Sequence, residues 1–163
     1  MTALPVISNI SETYFISLKV LENGKEIDDN FYWISKKQDI LDYDAKVPNW
    51  YYHTPSKQYA NYSELYKLKK VHLTYSIVKK IGSENTVFEI KMKNPSNKIA
   101  FFTELRILDK VTGESILPVI WSDNYITLLP AESQTYTATI KNKHLQNKKI
   151  DFIFKGWNTN SKE

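Results

Sequence analysis

Cysteine is absent from this chain of 163 residues, which excludes disulfides, zinc–thiolate sites and thiol nucleophiles together. Glycine and proline are scarce, at 4 and 6 residues, so the chain contains no low-complexity linker. No apolar run approaches the roughly 20 residues of a membrane helix, and we predict no membrane span. The N-terminal sequence also lacks the basic start and apolar centre of a secretory signal. We therefore expect either a cytosolic protein or a piece of a longer one.

Arginine is nearly absent as well. Of the 22 Lys and Arg residues only Arg106 is an arginine, although the net charge is +4. Base readout and bidentate phosphate contacts favour the arginine fork. The lysines are spread along the chain and flank strands or turns, where they protect sheet edges. The charge pattern thus predicts a solvated surface and no nucleic-acid partner.

The chain does contain the alternating pattern of β-strands, most clearly between Ile99 and Pro130. Alternating segments, a turn with Gly113 and an Asp-Asn turn follow one another there, as in one layer of an antiparallel sandwich. Outside this stretch the same spacing continues in both directions. The predicted strands are 71–81, 86–94, 100–109, 115–121, 125–130, 134–141 and 149–157. The hydrophobic content of 42% is enough for a core, and we predict an all-β antiparallel sandwich.

The first 70 residues have a different organisation. Residues 14–21 alternate and end at Asn23-Gly24, a dipeptide typical of tight hairpins, and residues 30–35 supply the partner strand. Residues 36–70 show no clean period, are rich in aromatics, and allow one or two helical turns capped by Asn61 or Ser63. An irregular segment of this length is typical of a connector. We predict a hairpin and connector over 1–70 and a complete sandwich over 71–163.

Catalytic motifs are missing from the sequence. His53, His72 and His144 are isolated, and neither a Gly-x-Ser-x-Gly elbow nor a glycine-rich phosphate loop occurs. Several carboxylates lie near the strands, and sequence cannot show whether two of them face each other as glycoside hydrolysis requires. We expect turn or surface roles for them. They are Asp42, Asp44, Glu104, Asp109, Glu114, Asp123 and Glu132. We predict no catalytic residue, cofactor or metal ligand.

An aromatic cluster, Trp50-Tyr51-Tyr52, followed by His53, is the best candidate for a contact surface. Aromatic rings stack on the apolar C–H faces of sugars, and they equally attach a connector to a sandwich. The sequence leaves both roles open and favours the second. Three other tryptophans, Trp33, Trp121 and Trp157, lie in predicted strands and are expected in core or interdomain packing.

Three segments together resemble the C-terminal region of glycoside hydrolase family 2, in its exo-β-D-glucosaminidase and β-mannosidase-like branch. Residues 14–44 resemble the end of the fourth domain of those enzymes, and 50–68 are similar to their interdomain connector. Residues 100–140, with FKGWNTN at 154–160, resemble the final immunoglobulin-like domain and its terminal Gly-Trp-Asn. The segment LLPAES departs from the family pattern at Ala131, where Gly is usual, and we expect a relaxed turn there.

The resemblance implies a non-catalytic accessory domain. The catalytic glutamates of this family lie on an upstream barrel of about 250 residues, and the acid/base follows an Asn. The chain has no Asn-Glu dipeptide, so no catalytic residue can be assigned. The implied partners are that barrel and the preceding sandwich domain, and an oligosaccharide is a further candidate. The localisation is not fixed, and a periplasmic or secreted parent is expected if the parent degrades polysaccharide.

Two other functions stay open. One is a carbohydrate-binding module that uses Trp50, Tyr51 and Tyr52 as its platform. The other is a free-standing adhesion or scaffold sandwich with no enzyme attached. Sugar titration tests the first, and the upstream reading frame tests the second.

Overall fold

The computed structural model describes residues 7–48 and 53–161 of the chain. It divides into two compact units, Met1–Lys67 and Leu68–Glu163. The first unit is a hairpin with a short connector, and the second is built almost entirely of strands.

The hairpin of the first unit joins β1 (Thr13–Glu22) and β2 (Lys25–Ser35). Asn23 and Gly24 have φ of 51° and 78°, so the turn follows the right-handed twist of the ribbon as a tight hairpin requires. The predicted Asn-Gly turn is confirmed. Apolar side chains lie on both faces, since Phe15 pairs with Trp33 and Ile16 with Tyr32 on the opposite face. Such a ribbon is marginal by itself in water.

The open end of the hairpin is fixed to the connector by polar groups. The Thr13 backbone N–H donates to Glu64 Oε2 at 2.8 Å, and the Thr13 hydroxyl donates to the Asn61 carbonyl at 2.9 Å. Opposite Thr13, the Ser35 hydroxyl oxygen accepts from the Asn61 N–H at 2.9 Å. Both Thr13 and Ser35 are buried, so these bonds satisfy groups that water cannot reach.

The connector is more ordered than the sequence indicates. The expected helical turn is a 3₁₀ helix at Ser63–Lys67, and the Asn61 side chain accepts from the Ser63 N–H at 3.1 Å, as a cap does. Two short strands, β3 (Ile40–Leu41) and β4 (Ser56–Gln58), pair with each other. Strands of two and three residues leave no alternating pattern that a sequence could display.

The second unit contains eight strands and a 3₁₀ turn at Asn142–His144. The strands are β5 (Val71–Ile81), β6 (Asn85–Lys93), β7 (Ala100–Asp109), β8 (Ile120–Trp121), β9 (Ile126–Leu128), β10 (Ser133–Lys141), β11 (Ile150–Gly156) and β12 (Thr159–Ser161). Their order is β8-β10-β6-β5-β12-β11-β7-β9. β5 connects the two halves of this sheet, because residues 74–81 pair antiparallel with β6 while 71–73 pair parallel with β12.

The sheet therefore curls into two layers around one core. Phe88 of β6 meets Phe152 of β11 edge-on at 5.3 Å, and Tyr75 of β5 meets Phe154 in the same way at 4.7 Å. Inward side chains alternate along β6 and β10, as the period of two predicts. The core is formed chiefly by Val71, Leu73, Phe88, Ile90, Met92, Leu105, Ile107, Ile116, Leu128, Tyr136, Ile140 and Phe154. The prediction of an all-β sandwich preceded by a hairpin is confirmed.

In the second unit, one predicted strand is mostly wrong and one strand was missed. Within 115–121 only Ile120–Trp121 form a strand, and Ser115 makes an isolated bridge to Leu108. Pro118 has no N–H to contribute to a ladder, which interrupts the segment. The missed strand is β12, whose three residues follow the Gly-Trp-Asn segment.

The three tryptophans expected in core or interdomain packing differ in exposure. Trp121 packs against the core, whereas Trp33 and Trp157 are 39% and 40% exposed. Trp33 in β2 and Trp157, in the bend between β11 and β12, are therefore not core residues, and interdomain packing stays a prediction for both.

Candidate functional site

The predicted platform, Trp50, Tyr51 and Tyr52, lies outside the described residues, and its role stays a prediction. The described residues contain another aromatic surface on the second unit. It forms where the beginnings of β7 and β9 meet the end of β11. The Gly-Trp-Asn segment singled out in the sequence builds one side of it.

Asn158 ties the end of β11 to two other segments. Its Oδ1 accepts from the Phe101 N–H at 2.8 Å, and its Nδ2 donates to the carbonyls of Lys69 and Ile99, each at 2.8 Å. Asn158 is only 1% exposed, so every polar atom of its amide is used inside the protein. A side chain with both a donor and an acceptor is needed here, which explains asparagine at this position.

Gly156 brings β11 close to β7. A Cβ at this position would lie 2.7 Å from the Phe102 carbonyl oxygen and 2.8 Å from the Thr103 Cα. Both are backbone atoms that cannot move aside. The glycine thus allows the contact, and the next residue, Trp157, donates its N–H to the Phe101 carbonyl at 3.2 Å.

Phe102 lies in a β-bulge. Ala100 pairs with Leu128 and Thr103 with Ile126. Between these two pairs β7 contains one more residue than β9. Phe102 has φ of +53°, the left-handed region that a bulky side chain rarely adopts. Phe102 is 36% exposed while the neighbouring Phe101 is buried. Bulges commonly redirect a side chain in this way.

Tyr125 is a second aromatic residue with left-handed backbone, at φ of +56°, and it is 51% exposed. The side chain of the preceding Asn124 fixes this turn. Its Oδ1 accepts from the Leu105 N–H at 2.7 Å and its Nδ2 donates to the Leu105 carbonyl at 3.0 Å. The rings of Phe102 and Tyr125 lie 5.2 Å apart at an interplanar angle of 36°.

Charged groups border these rings. The Tyr125 hydroxyl donates to Glu104 Oε1 at 3.4 Å, and Lys155 of β11 stands opposite Glu104 in the register. Trp157 follows the Gly156–Thr103 pair, and its N–H donates to the carbonyl of Phe101, the residue before Phe102. We call Phe102, Tyr125 and Trp157 the aromatic patch. It combines exposed rings with the Glu104 carboxylate and the Lys155 ammonium group at its border, and Lys70 Nζ donates to the Trp157 carbonyl at 3.4 Å.

The sequence contained a partial signal for the aromatic patch. Phe102 is in phase with Glu104 and Arg106, on the outward side of a strand whose odd-numbered residues are buried. The alternation could therefore have indicated an exposed phenylalanine. The left-handed backbone and the contact with Tyr125 depend on the pairing of β7 with β9, which no local pattern shows.

The carboxylates take turn and surface roles. Asp109 Oδ1 accepts from the Val111 N–H at 3.1 Å, and Asp123 Oδ1 accepts from the Asn124 N–H at 2.7 Å. Glu132 Oε2 accepts from the Leu129 N–H at 2.7 Å. In the first unit, Lys57 Nζ lies 3.1 Å from Asp42 and 3.5 Å from Asp44.

Two other features are absent from residues 7–48 and 53–161. That part of the chain holds no cluster of three or more His, Asp or Glu residues able to bind a metal ion. Within the same ranges, no helix has the length and apolar character needed to cross a membrane.

The strand order, the two layers and the strand-switching β5 define an immunoglobulin-fold sandwich. The model of the exo-beta-D-glucosaminidase Ig-fold domain matches residues 50–159. The chain belongs to this domain family, which is part of glycoside hydrolase family 2.

Curated relatives and solved structures agree with this membership. The chain is 33% identical to an exo-beta-D-glucosaminidase of Arthroderma benhamiae over 139 residues, and 31% identical to one of Amycolatopsis orientalis over 160 residues. These alignments cover 85% and 96% of the chain but 15% of each relative. The crystal structure of the Amycolatopsis orientalis exo-chitosanase CsxA superposes with a TM-score of 0.86 at 31% identity, over 96% of this chain and 18% of that one.

Proposed function

We propose that this chain is a non-catalytic accessory region of a larger exo-β-D-glucosaminidase, and that it packs against and stabilises the catalytic barrel. The observation that supports this most is the disparity in coverage. The fold matches over 96% of this chain and over only 18% of the CsxA chain. A barrel of about 250 residues is longer than the whole chain. The reactive glutamates would accordingly belong to another part of the parent.

In this proposal the two units belong to different domains of the parent enzyme. Residues 1–70 would be the end of a preceding sandwich with its connector, and 71–163 a complete immunoglobulin-like domain. The hairpin supports this assignment, because it presents Leu18, Val20 and Tyr32 at 46%, 51% and 46% exposure on one face. Apolar side chains on a ribbon of this kind are normally covered by further strands.

A hollow along β1 agrees with the same assignment. It has a volume of about 440 Å³ and is lined mostly by apolar side chains, including Ile10, Tyr14 and Ile16. The hollow is described within the first unit, and none of its described lining residues is charged. It suits the side chains of a neighbouring strand better than a polar ligand.

The substrate of the parent follows from the relatives. Those named above are exo-beta-D-glucosaminidases, and a CsxA variant has been solved with PNP-beta-D-glucosamine. We infer a parent that removes glucosamine from the end of a chain. The sandwich domain would contribute stability to that enzyme and would not contact the bond being cleaved.

The test is a deletion in the enzyme encoded by the complete reading frame. Removal of residues 71–163 should lower the unfolding temperature of the parent and expose the surface that this domain covers. A variant shortened only by the last two residues serves as the control. An unchanged unfolding temperature and unchanged activity would contradict the packing role. A complete frame without a barrel would leave the adhesion or scaffold function instead.

A further inference from the structure

We propose that the aromatic patch and Glu104 form a surface site that binds a β-linked oligosaccharide of glucosamine. The choice of sugar rests on the proposed function, whereas the site itself rests on the geometry of the second unit. It is separate in sequence from the Trp50-Tyr51-Tyr52 cluster. It would hold a polymer on the accessory domain while another part of the parent acts on the chain end.

Backbone strain is the first observation that supports a binding role. Phe102 and Tyr125 both have left-handed φ, at +53° and +56°, and their rings touch. Bulky residues in this region are uncommon, and such strain is concentrated at binding and catalytic sites. Glycine or asparagine would fit both positions with less strain. Large exposed rings at two adjacent strained positions indicate that the rings themselves are required.

The chemistry of the patch suits an amino sugar. The pyranose of a β-linked glucosamine has apolar C–H faces that stack on aromatic rings. Its ammonium group is attracted by the faces of Phe and Tyr rings and by a carboxylate. Glu104 supplies that carboxylate beside the Tyr125 ring. Lys155, opposite Glu104, can donate to a sugar hydroxyl.

The patch is also held rigidly, which lowers the entropy cost of binding. Asn124 fixes the Tyr125 turn on β7 through two hydrogen bonds to Leu105. On the other side, Asn158 and the close approach at Gly156 fix the backbone beside Trp157. Each ring is thus presented by a segment that is anchored to the sandwich.

The experiment is calorimetric titration of the complete chain with a glucosamine hexamer, with a cello-hexamer of the same linkage as the neutral comparison. Phe102→Gly and Tyr125→Asn remove one ring each and suit the left-handed backbone, so both variants should keep the unfolding midpoint. Each should weaken binding of the glucosamine hexamer about fivefold to tenfold, which corresponds to one lost aromatic stacking contact.

Three more variants assign the contacts. Tyr125→Phe keeps the ring and should retain most of the affinity. Glu104→Gln should reduce the preference for the glucosamine hexamer over the cello-hexamer, which we expect to be about threefold in the unchanged chain. Trp50→Ala removes one ring of the Trp50-Tyr51-Tyr52 cluster as an aromatic comparison and should bind normally.

Several results would overturn the proposal. These are no binding of either hexamer at millimolar concentration, equal binding by Phe102→Gly and the unchanged chain, or loss of binding in Trp50→Ala alone. Self-association that disappears in Phe102→Gly would assign the patch to protein contact and overturn it too. None of these results bears on whether removal of residues 71–163 destabilises the parent, so the two proposals fail separately.

Discussion

At the scale of single residues, two positions show how local backbone determines side-chain choice. Asn158 uses its whole amide inside the protein, between Phe101 on one side and the carbonyls of Lys69 and Ile99 on the other. Ala131, in contrast, is a residue type that does not suit its backbone conformation. The sequence led us to expect a relaxed turn there, and this was wrong, because Ala131 keeps a left-handed φ of +63°.

Ala131→Gly should therefore stabilise the chain. The left-handed conformation destabilises the folded state by about 1–2 kcal/mol when the residue has a Cβ. Glycine removes this strain, but it also raises the conformational entropy of the unfolded chain, which offsets part of the stabilisation. We expect the free energy of unfolding to rise by about 0.5–1 kcal/mol in denaturant titration. Ala131→Ser keeps the Cβ and should give no gain. Destabilisation by Ala131→Gly would show that the strain at this turn is not relieved by removing the Cβ.

Asn158→Ala should have a larger effect in the opposite direction. It removes three hydrogen bonds and leaves buried backbone groups unsatisfied, at a cost of about 3 kcal/mol. Asn160→Ala, in the exposed part of β12, is the matched control and should change stability by less than about 0.5 kcal/mol. Denaturant titration followed by tryptophan fluorescence measures both. Equal effects of the two substitutions would mean that the Asn158 amide is not a structural tie.

At the scale of secondary-structure elements, the sequence predicted the long strands well. Residues 100–109 were predicted as a strand and form β7 with the same bounds, because an alternating run that faces one core is a local pattern. The Asn23-Gly24 hairpin is local in the same sense. The prediction of a strand over 115–121 was wrong because it rested on the apolar content of the segment, whereas Pro118 prevents continuous pairing.

The aromatic patch could not be predicted because it depends on pairing. A bulge is defined only by the comparison of two strands, here β7 and β9. The missed β12 also depends on pairing, since its three residues are a strand only because they pair with β5 and β11. Alternation alone could still have placed Phe102 on the outward side with Glu104.

At the scale of the whole molecule, the two units should differ in stability. The β1–β2 hairpin has many exposed apolar side chains, whereas β7 and β10 contribute to the buried core. Hydrogen exchange should consequently show the amides of 14–35 less protected than those of 100–108 and 134–140. Equal protection would mean that the chain unfolds as one integrated domain, and the assignment of 1–70 as a remnant would then be wrong.

We propose that the reactive groups of the parent lie outside this chain, and incubation of the purified chain with an aryl β-D-glucosaminide is the decisive test. We expect no release of the aryl group above the rate of a buffer control, at any pH at which the chain stays folded. Turnover that copurifies with the chain through successive columns would contradict it.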